Sequence, residues 1–298
     1  MSETTTTTIT SNMSNMISTI SLILFIIITI AHFLFIKIKL SLDDIQTPET
    51  FANFTSSNLP RLAIYIAIVF ISQFILNAVY LGNKCNNASG TIGIAAFYTF
   101  IPWLLIFGVV ATILIVYPGF KSAFSDVIGY FIVAGKSNEL FSHILVDQEI
   151  QEQMENDGLS SGDKSALSKS AEAIMKICGN KSVLINQINP ENFMSFWKTI
   201  KPLIKPSIKE NDEEITKIQT TLLDLVVLRD NIGEAFWYIY SAILISSIVY
   251  FNLATQGCVL DVETVKANRE KYISDQEQID EQTNLDDTIY IDDQQVQE

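Results

Sequence analysis

Histidine is nearly missing from this chain: His32 and His143 are the only two in 298 residues. A zinc site needs three or four converging nitrogen or sulfur ligands, so no histidine cluster is available to hold one. Cysteine is as scarce, with Cys85, Cys178 and Cys258 alone. Three thiols exclude the disulfide framework of a small secreted domain. Charge is thin: 17% of residues are Asp, Glu, Lys or Arg, against about 25% in soluble globular chains. It is also lopsided, with 33 acidic against 19 basic residues and a formal net charge of −14.

Catalytic signatures are missing too. Ser161 and Lys164 match S-x-x-K, but they stand in a Gly/Ser/Asp-rich loop, 156–165, without the companion motifs. Gly179-Asn180-Lys181-Ser182 lacks the spacing of a phosphate-binding loop. Cys178 falls on an apolar helix face, which suits a buried thiol better than a nucleophile. The chain therefore reads as no enzyme, with no metal and no cofactor.

What is abundant is uncharged apolar sequence, 48% of the chain. Four runs lack Asp, Glu, Lys and Arg altogether: 16–36, 62–81, 92–117 and roughly 235–254. Crossing a bilayer takes about 20 such residues in a helix, because nothing in hydrocarbon satisfies an open backbone. The sequence thus predicts an all-α membrane protein with four transmembrane helices. Residues 1–15 are a polar tail without a basic residue, so the first run reads as a retained anchor rather than a cleaved signal. Residues 16–117 form a three-span region, and 232–258 carry the fourth span. Pro102 removes a backbone bond inside the third, where a kink or tilt is expected.

Loop charges set the topology. The N-terminal tail has no Lys or Arg, whereas 37–61 has three and 118–234 holds most of the rest. Positive-inside bias places those two loops on the cytoplasmic side and both tails opposite. The Asn-x-Ser/Thr triplets at Asn12, Asn53, Asn87 and Asn180 do not settle the orientation, and no glycan is expected. The spans hold few polar groups. His32 sits near the interface and reads as a satisfied polar residue rather than a proton carrier. Gln73 and Asn77, spaced i, i+4, face one way and suit hydrogen bonds between helices. With Asn252, they are also the only start a polar path would have.

After the third span, Phe120, Ala123, Phe124, Val127, Ile128, Phe131 and Ile132 recur at helical spacing as one apolar stripe. Residues 118–135 are read as an interfacial amphipathic helix; docking of that helix on the adjoining domain is the other reading. Residues 136–231 read as a small soluble helical bundle inserted between spans three and four. One of its stripes is Leu167, Ala171, Ile174, Met175 and Cys178. Another begins at "NPENF" with Asn189 as cap and Pro190 in the first turn, and continues through Phe193, Phe196, Trp197, Ile200 and Ile204. Phe193, Phe196 and Trp197 are the candidate partner-binding residues. The tail, 259–298, is acidic and too poor in apolar residues to fold alone. A linear motif around Ile289, Tyr290 and Ile291 is its alternative reading.

Three stretches carry a resemblance: "YPGFKSAFSDVIGY" (117–130), "LINQINPENF" (184–193) and "RDNIGEAFWYIYSAILISSIVYFNLATQGC" (229–258). Pro118, Gly119 and Phe120 form a turn after a span. Trp237 and Tyr238 open the last span, and Cys258 lies past its end. Together these stretches resemble a family of multi-span membrane proteins of nucleocytoplasmic large DNA viruses, the giant and algal viruses. The match covers roughly 92–258; the first span and the acidic tail lie outside it. The resemblance implies an integral, multi-pass component of the virion inner membrane, host-derived, and a minor capsid or membrane-linking role under the icosahedral shell. Expected partners are the lipid bilayer and capsid or other virion membrane proteins, with self-association a further class and no nucleic acid.

Two functions follow. The first is a structural virion membrane protein that organises the inner membrane and links it to capsid proteins. The alternative is a channel or small-solute transporter of a viral or cellular membrane. Spans two and four run in the same direction, so Cys85 and Cys258 emerge at similar height on one face. They are a candidate disulfide, which requires those spans to be neighbours. Two unpaired interfacial thiols are the competing reading. Cys178, on the opposite side, is expected to stay free.

Overall fold

A computed structural model describes residues 18–85, 88–145, 181–258, 266–267 and 269–280. The stripe at 167–178, the loop 156–165, both chain ends and the motif at 289–291 lie outside these residues. So does Cys178.

The described residues are helical, without a strand. Four helices are long and apolar enough to cross a membrane: α1, Ser18–Ile36; α2, Pro48–Cys85; α3, Gly90–Val116; and α6, Asp212–Thr255. Between α3 and α6 lie α4, residues 122–144, and the short α5, Phe193–Ile200. The outer faces of the four long helices carry exposed Ile23, Ile27, Ile71, Ile75, Leu104 and Phe251. Their inner faces bury Phe25, Tyr65, Trp103, Phe107 and Tyr238, each at most 1% exposed. Apolar side chains on both faces are what a helix needs when one side meets lipid.

Two of these helices outrun the apolar stretches that define them. α2 is expected over 62–81 but starts at Pro48, and it is 38 residues long. α6 is 44 residues, about 66 Å at 1.5 Å per residue. That is roughly twice a hydrocarbon thickness. Its start is well specified: the Asn211 side chain accepts from the Glu214 N–H, and Asp212, Glu213 and Glu214 sit at the positive helix end. No Pro or capping Gly interrupts it before Gln256.

α6 consequently runs through two hydrophobic cores. Tyr238, Ala242, Ile245, Val249 and Leu253 belong to the membrane bundle. Ile218, Leu222, Leu223, Leu225 and Val226 belong to a second core, the head. The described head is not a free-standing insert. Leu40 and Ile45 from the first loop enter its core, and Phe51 and Phe54 from the start of α2 pack on it. Val133, ahead of the expected boundary at 136, also belongs to it, with Tyr130 packed on it, and the 37–61 loop is a structural part of the head.

Two other expectations change. "NPENF" does not start a helix at Asn189. Asn189 and Asn192 exchange bonds, each backbone N–H donating to the other's Oδ1 at 2.8 Å, and α5 begins after that turn, at Phe193. In the tail, residues 269–280 are helical and exposed throughout, so the acidic segment is not uniformly irregular. Its helix carries Arg269, Glu270, Lys271 and Asp275 within two turns, with Lys271 and Asp275 at the favourable i, i+4 spacing. At Pro102 the third span departs locally from α geometry, with a π-turn over Trp103–Phe107. The turn delivers both Trp103 and Phe107 to the bundle interior.

Candidate functional site

Where the apolar runs of α1 and α3 end, the chain places charge instead. Glu234, on α6, is 7% exposed and central. Its Oε2 accepts from Lys37, which follows α1, at 3.0 Å and from Lys121, which follows α3, at 2.8 Å. Its Oε1 accepts from the Tyr238 hydroxyl at 3.0 Å. Lys121 also reaches Asp230 at 3.2 Å, and Lys37 donates to Asn231 Oδ1 at 2.7 Å. Burial disfavours a charged Lys121, but Glu234 and Asp230 outweigh burial and raise its pKa above the ordinary lysine value. Its stabilising share is therefore complete below that ordinary value and is lost only as pH climbs past the folded one. Lys121 and Glu234 are therefore ion-paired at neutral pH, whereas burial lowers the pKa of Lys37 below the ordinary lysine value.

Arg229, 3% exposed, closes the head side of this layer. Its guanidinium donates to the carbonyls of Ile185 and Ile188 and approaches Asp126 at 3.7 Å. Nε has no partner among the described residues. The arginine thus pins the end of the 181–187 turn to α6 through backbone carbonyls.

α4 crosses α6 at this level with almost no side chain between them. A Cβ on Gly233 would stand 2.7 Å from the Ser125 Cβ and 2.9 Å from the Lys121 carbonyl oxygen. One on Gly129 would stand 2.6 Å from the Arg229 carbonyl oxygen. Gly233→Val is expected to force the helices apart, at about 1–3 kcal/mol of overpacking. Thermal unfolding in detergent should show a lower midpoint than wild type, and an unchanged midpoint would contradict the close crossing.

The interfacial-helix residues fall on the other side of α4. The buried stripe is Ser125, Gly129, Val133, Ser137, Phe141 and Ile144. Phe120, Val127, Phe131 and Ile132 are exposed, Phe131 by 84%, while Phe124 and Ile128 are half-buried. Phe120 and Phe124 also pack on Trp237, with ring centroids 5.0 Å apart in both pairs, and Trp237 Nε1 donates to the Phe120 carbonyl. The two sequence readings combine: α4 docks through its small residues and leaves its apolar stripe outside. It runs on to Ile144 rather than ending near 135.

The candidate partner residues are corrected. Phe193 and Trp197 are 0% and 5% exposed and form head core; Phe196 is half-buried against it. An apolar helical stripe cannot by itself distinguish a core face from a docking face. His32 is corrected as well. It is 2% exposed and stacked on Tyr65 at 4.4 Å, with Nδ1 unpartnered among the described residues. Stacking on Tyr65 turns the ring into the protein.

At the other end of the bundle, Cys85 and Cys258 are joined by a disulfide, with Cα atoms 5.2 Å apart. Beside it, Lys84 donates to the carbonyls of Leu253, Ala254 and Gln256 at 2.7–2.9 Å. These are the open carbonyls at the end of α6, and a cation there also meets the negative end of the helix dipole. Gln73 accepts from Ser21 and donates to its carbonyl, and Asn77 donates to Thr99 at 2.9 Å. The space left beside Gln73, Asn77 and Tyr250 is about 20 Å³, room for roughly one water.

Sequence reasoning missed the central layer. Lys37, Lys121, Asp230 and Glu234 were each visible as charges flanking a span. The available signal was Asp230 and Glu234 at i, i+4 at the foot of the fourth run, next to Gly233. Comparison with family models, curated proteins and solved structures finds no match.

Proposed function

We propose that this chain is a structural membrane protein that organises a bilayer and couples it rigidly to a protein layer on the head side. The observation that carries the reading is α6. One unbroken helix contributes to the bundle core and to the head core, and the ion-paired layer locks α1, α3 and α4 to it between the two. A head built on the same helix as a span transmits position and force without a hinge. The exposed stripe of α4 adds an apolar surface at the level where the spans end, which suits contact with lipid.

The resemblance supplies the setting: a virion inner membrane beneath a capsid, with capsid proteins or other virion membrane proteins as the head's partners. The channel or transporter reading is less well supported by the bundle interior. Its aromatic side chains pack closely, with Phe25 and Trp103 centroids 5.5 Å apart and Phe107 and Tyr238 at 5.1 Å. Two of the three polar residues that could begin a path, Gln73 and Asn77, are bonded to neighbouring helices.

Purified protein reconstituted into sealed liposomes should leave their permeability to K⁺, Cl⁻ and small uncharged solutes at the protein-free level. A flux that rises with protein density would overturn the structural reading in favour of the transporter.

A further inference from the structure

Between the start of α2, the end of α3 and the foot of α6 lies a cavity of about 520 Å³, within the size range of small-molecule sites. Its walls are of two kinds. Phe54, Leu59, Leu62, Leu114 and Ile115 make an apolar side. Leu59 and Ile115 are 44% and 39% exposed, so this side continues onto the outer surface of the bundle. The opposite end is formed by the ion-paired layer, at the level where α1 and α3 stop.

Charge decides what could fill it. The lining holds three cationic side chains, Lys37, Lys121 and Arg229, and four carboxylates, Asp126, Glu191, Asp230 and Glu234. A polyanionic ligand meets net repulsion there. A zwitterion finds both signs. An ammonium has three donors. Lys37 spends two on Asn231 and Glu234, and Lys121 two on Asp230 and Glu234. Each keeps one more hydrogen-bond donor among the described residues, on side chains 20% and 14% exposed, and the Lys37 ammonium also lies 4.9 Å from the Phe33 ring centroid. Both ammonium groups touch the same Glu234 oxygen, so one phosphate can reach both. Asp126, 38% exposed, supplies a carboxylate at the same end.

We infer that this cavity binds one zwitterionic phospholipid by its headgroup. The phosphate accepts from Lys37 and Lys121, the headgroup ammonium faces Asp126 and Glu191, and the acyl chains leave along Leu59 and Ile115. The site is separate from the liposome result above, and its failure would leave the structural reading standing.

The test is native mass spectrometry of the full chain in an uncharged maltoside detergent, with equal phosphatidylcholine and phosphatidylglycerol of matched acyl chains. The expected result is one retained phosphatidylcholine, preferred by about tenfold or more over the anionic lipid. Ala52→Trp adds bulk at the cavity wall without removing a charge, since Ala52 lines it, and should abolish retention while the Cys85–Cys258 disulfide stays intact. Lys121→Met should lower retention; if that variant does not fold, Ala52→Trp decides alone. Free glycerophosphocholine, which has the head without the chains, should not displace the lipid. Equal or greater retention of the anionic lipid, full retention in Ala52→Trp, or displacement by the chainless head would each overturn the assignment.

Discussion

Glu234→Leu should be the most destabilising single substitution outside the hydrophobic cores. It removes the one carboxylate that Lys37 and Lys121 share and leaves two largely buried ammonium groups without it. Breaking a buried pair from one side costs about 3–5 kcal/mol, chiefly as unpaired charge. The lower end applies here, because both lysines border a cavity that water can enter and Lys121 keeps Asp230. The Tyr238 hydroxyl also loses its acceptor. Thermal unfolding in detergent should show the loss, and adding Lys121→Met to Glu234→Leu should recover part of it. Such a recovery marks coupling between the two sites rather than independent damage. A Glu234→Leu midpoint equal to wild type would mean that the layer is not an energetic joint.

Cys85→Ser and Cys258→Ser should each loosen the far end of the bundle by a similar amount. The bridge spans a sequence separation of 173, for which the chain-entropy relation gives about 5 kcal/mol. Spans that stay in the bilayer after tertiary packing is lost already confine that loop. A loss of about 2–4 kcal/mol is therefore expected. Reduction of the wild type should reproduce it, and the double variant should be no worse than either single one. On a non-reducing gel the wild type should run ahead of both variants, with Cys178 its only labelled thiol after denaturation. Identical mobility of all three with and without reductant would disprove the bridge. Lys84 bounds the effect, since its three bonds to the end of α6 hold the same two helix ends together without the disulfide.

The spans were legible because a bilayer imposes length and forbids charge, and both are read directly from residues 16–36, 62–81, 92–117 and 235–254. The extra turns of α2 were not, since 48–61 is mixed in polarity; for α6, the stripe Ile215, Ile218, Leu222 and Leu225 marked a helix running toward the fourth span, but not that the two are one helix. The α4 stripe was legible as apolar periodicity. Its partner face was not, because Ser125, Gly129 and Ser137 carry no hydrophobic signal. A close helix crossing selects for what is missing from a side chain. The site depends on pairs such as Lys37 with Glu234, 197 residues apart. No local pattern joins charges at that distance. Phe193 and Trp197 show the reverse difficulty: a clear stripe whose destination, core or partner, only the fold decides.

The central claim, a rigid coupling between bilayer and protein layer, is tested most directly by lysine cross-linking in the intact native membrane or particle. Lys198, Lys201 and Lys217 lie exposed on the head. The account predicts links from these three to a second protein species lying along the membrane, recurring at the same positions in independent preparations. Links confined to a single copy of this chain, with the head lysines otherwise unreacted toward any neighbour, would contradict it.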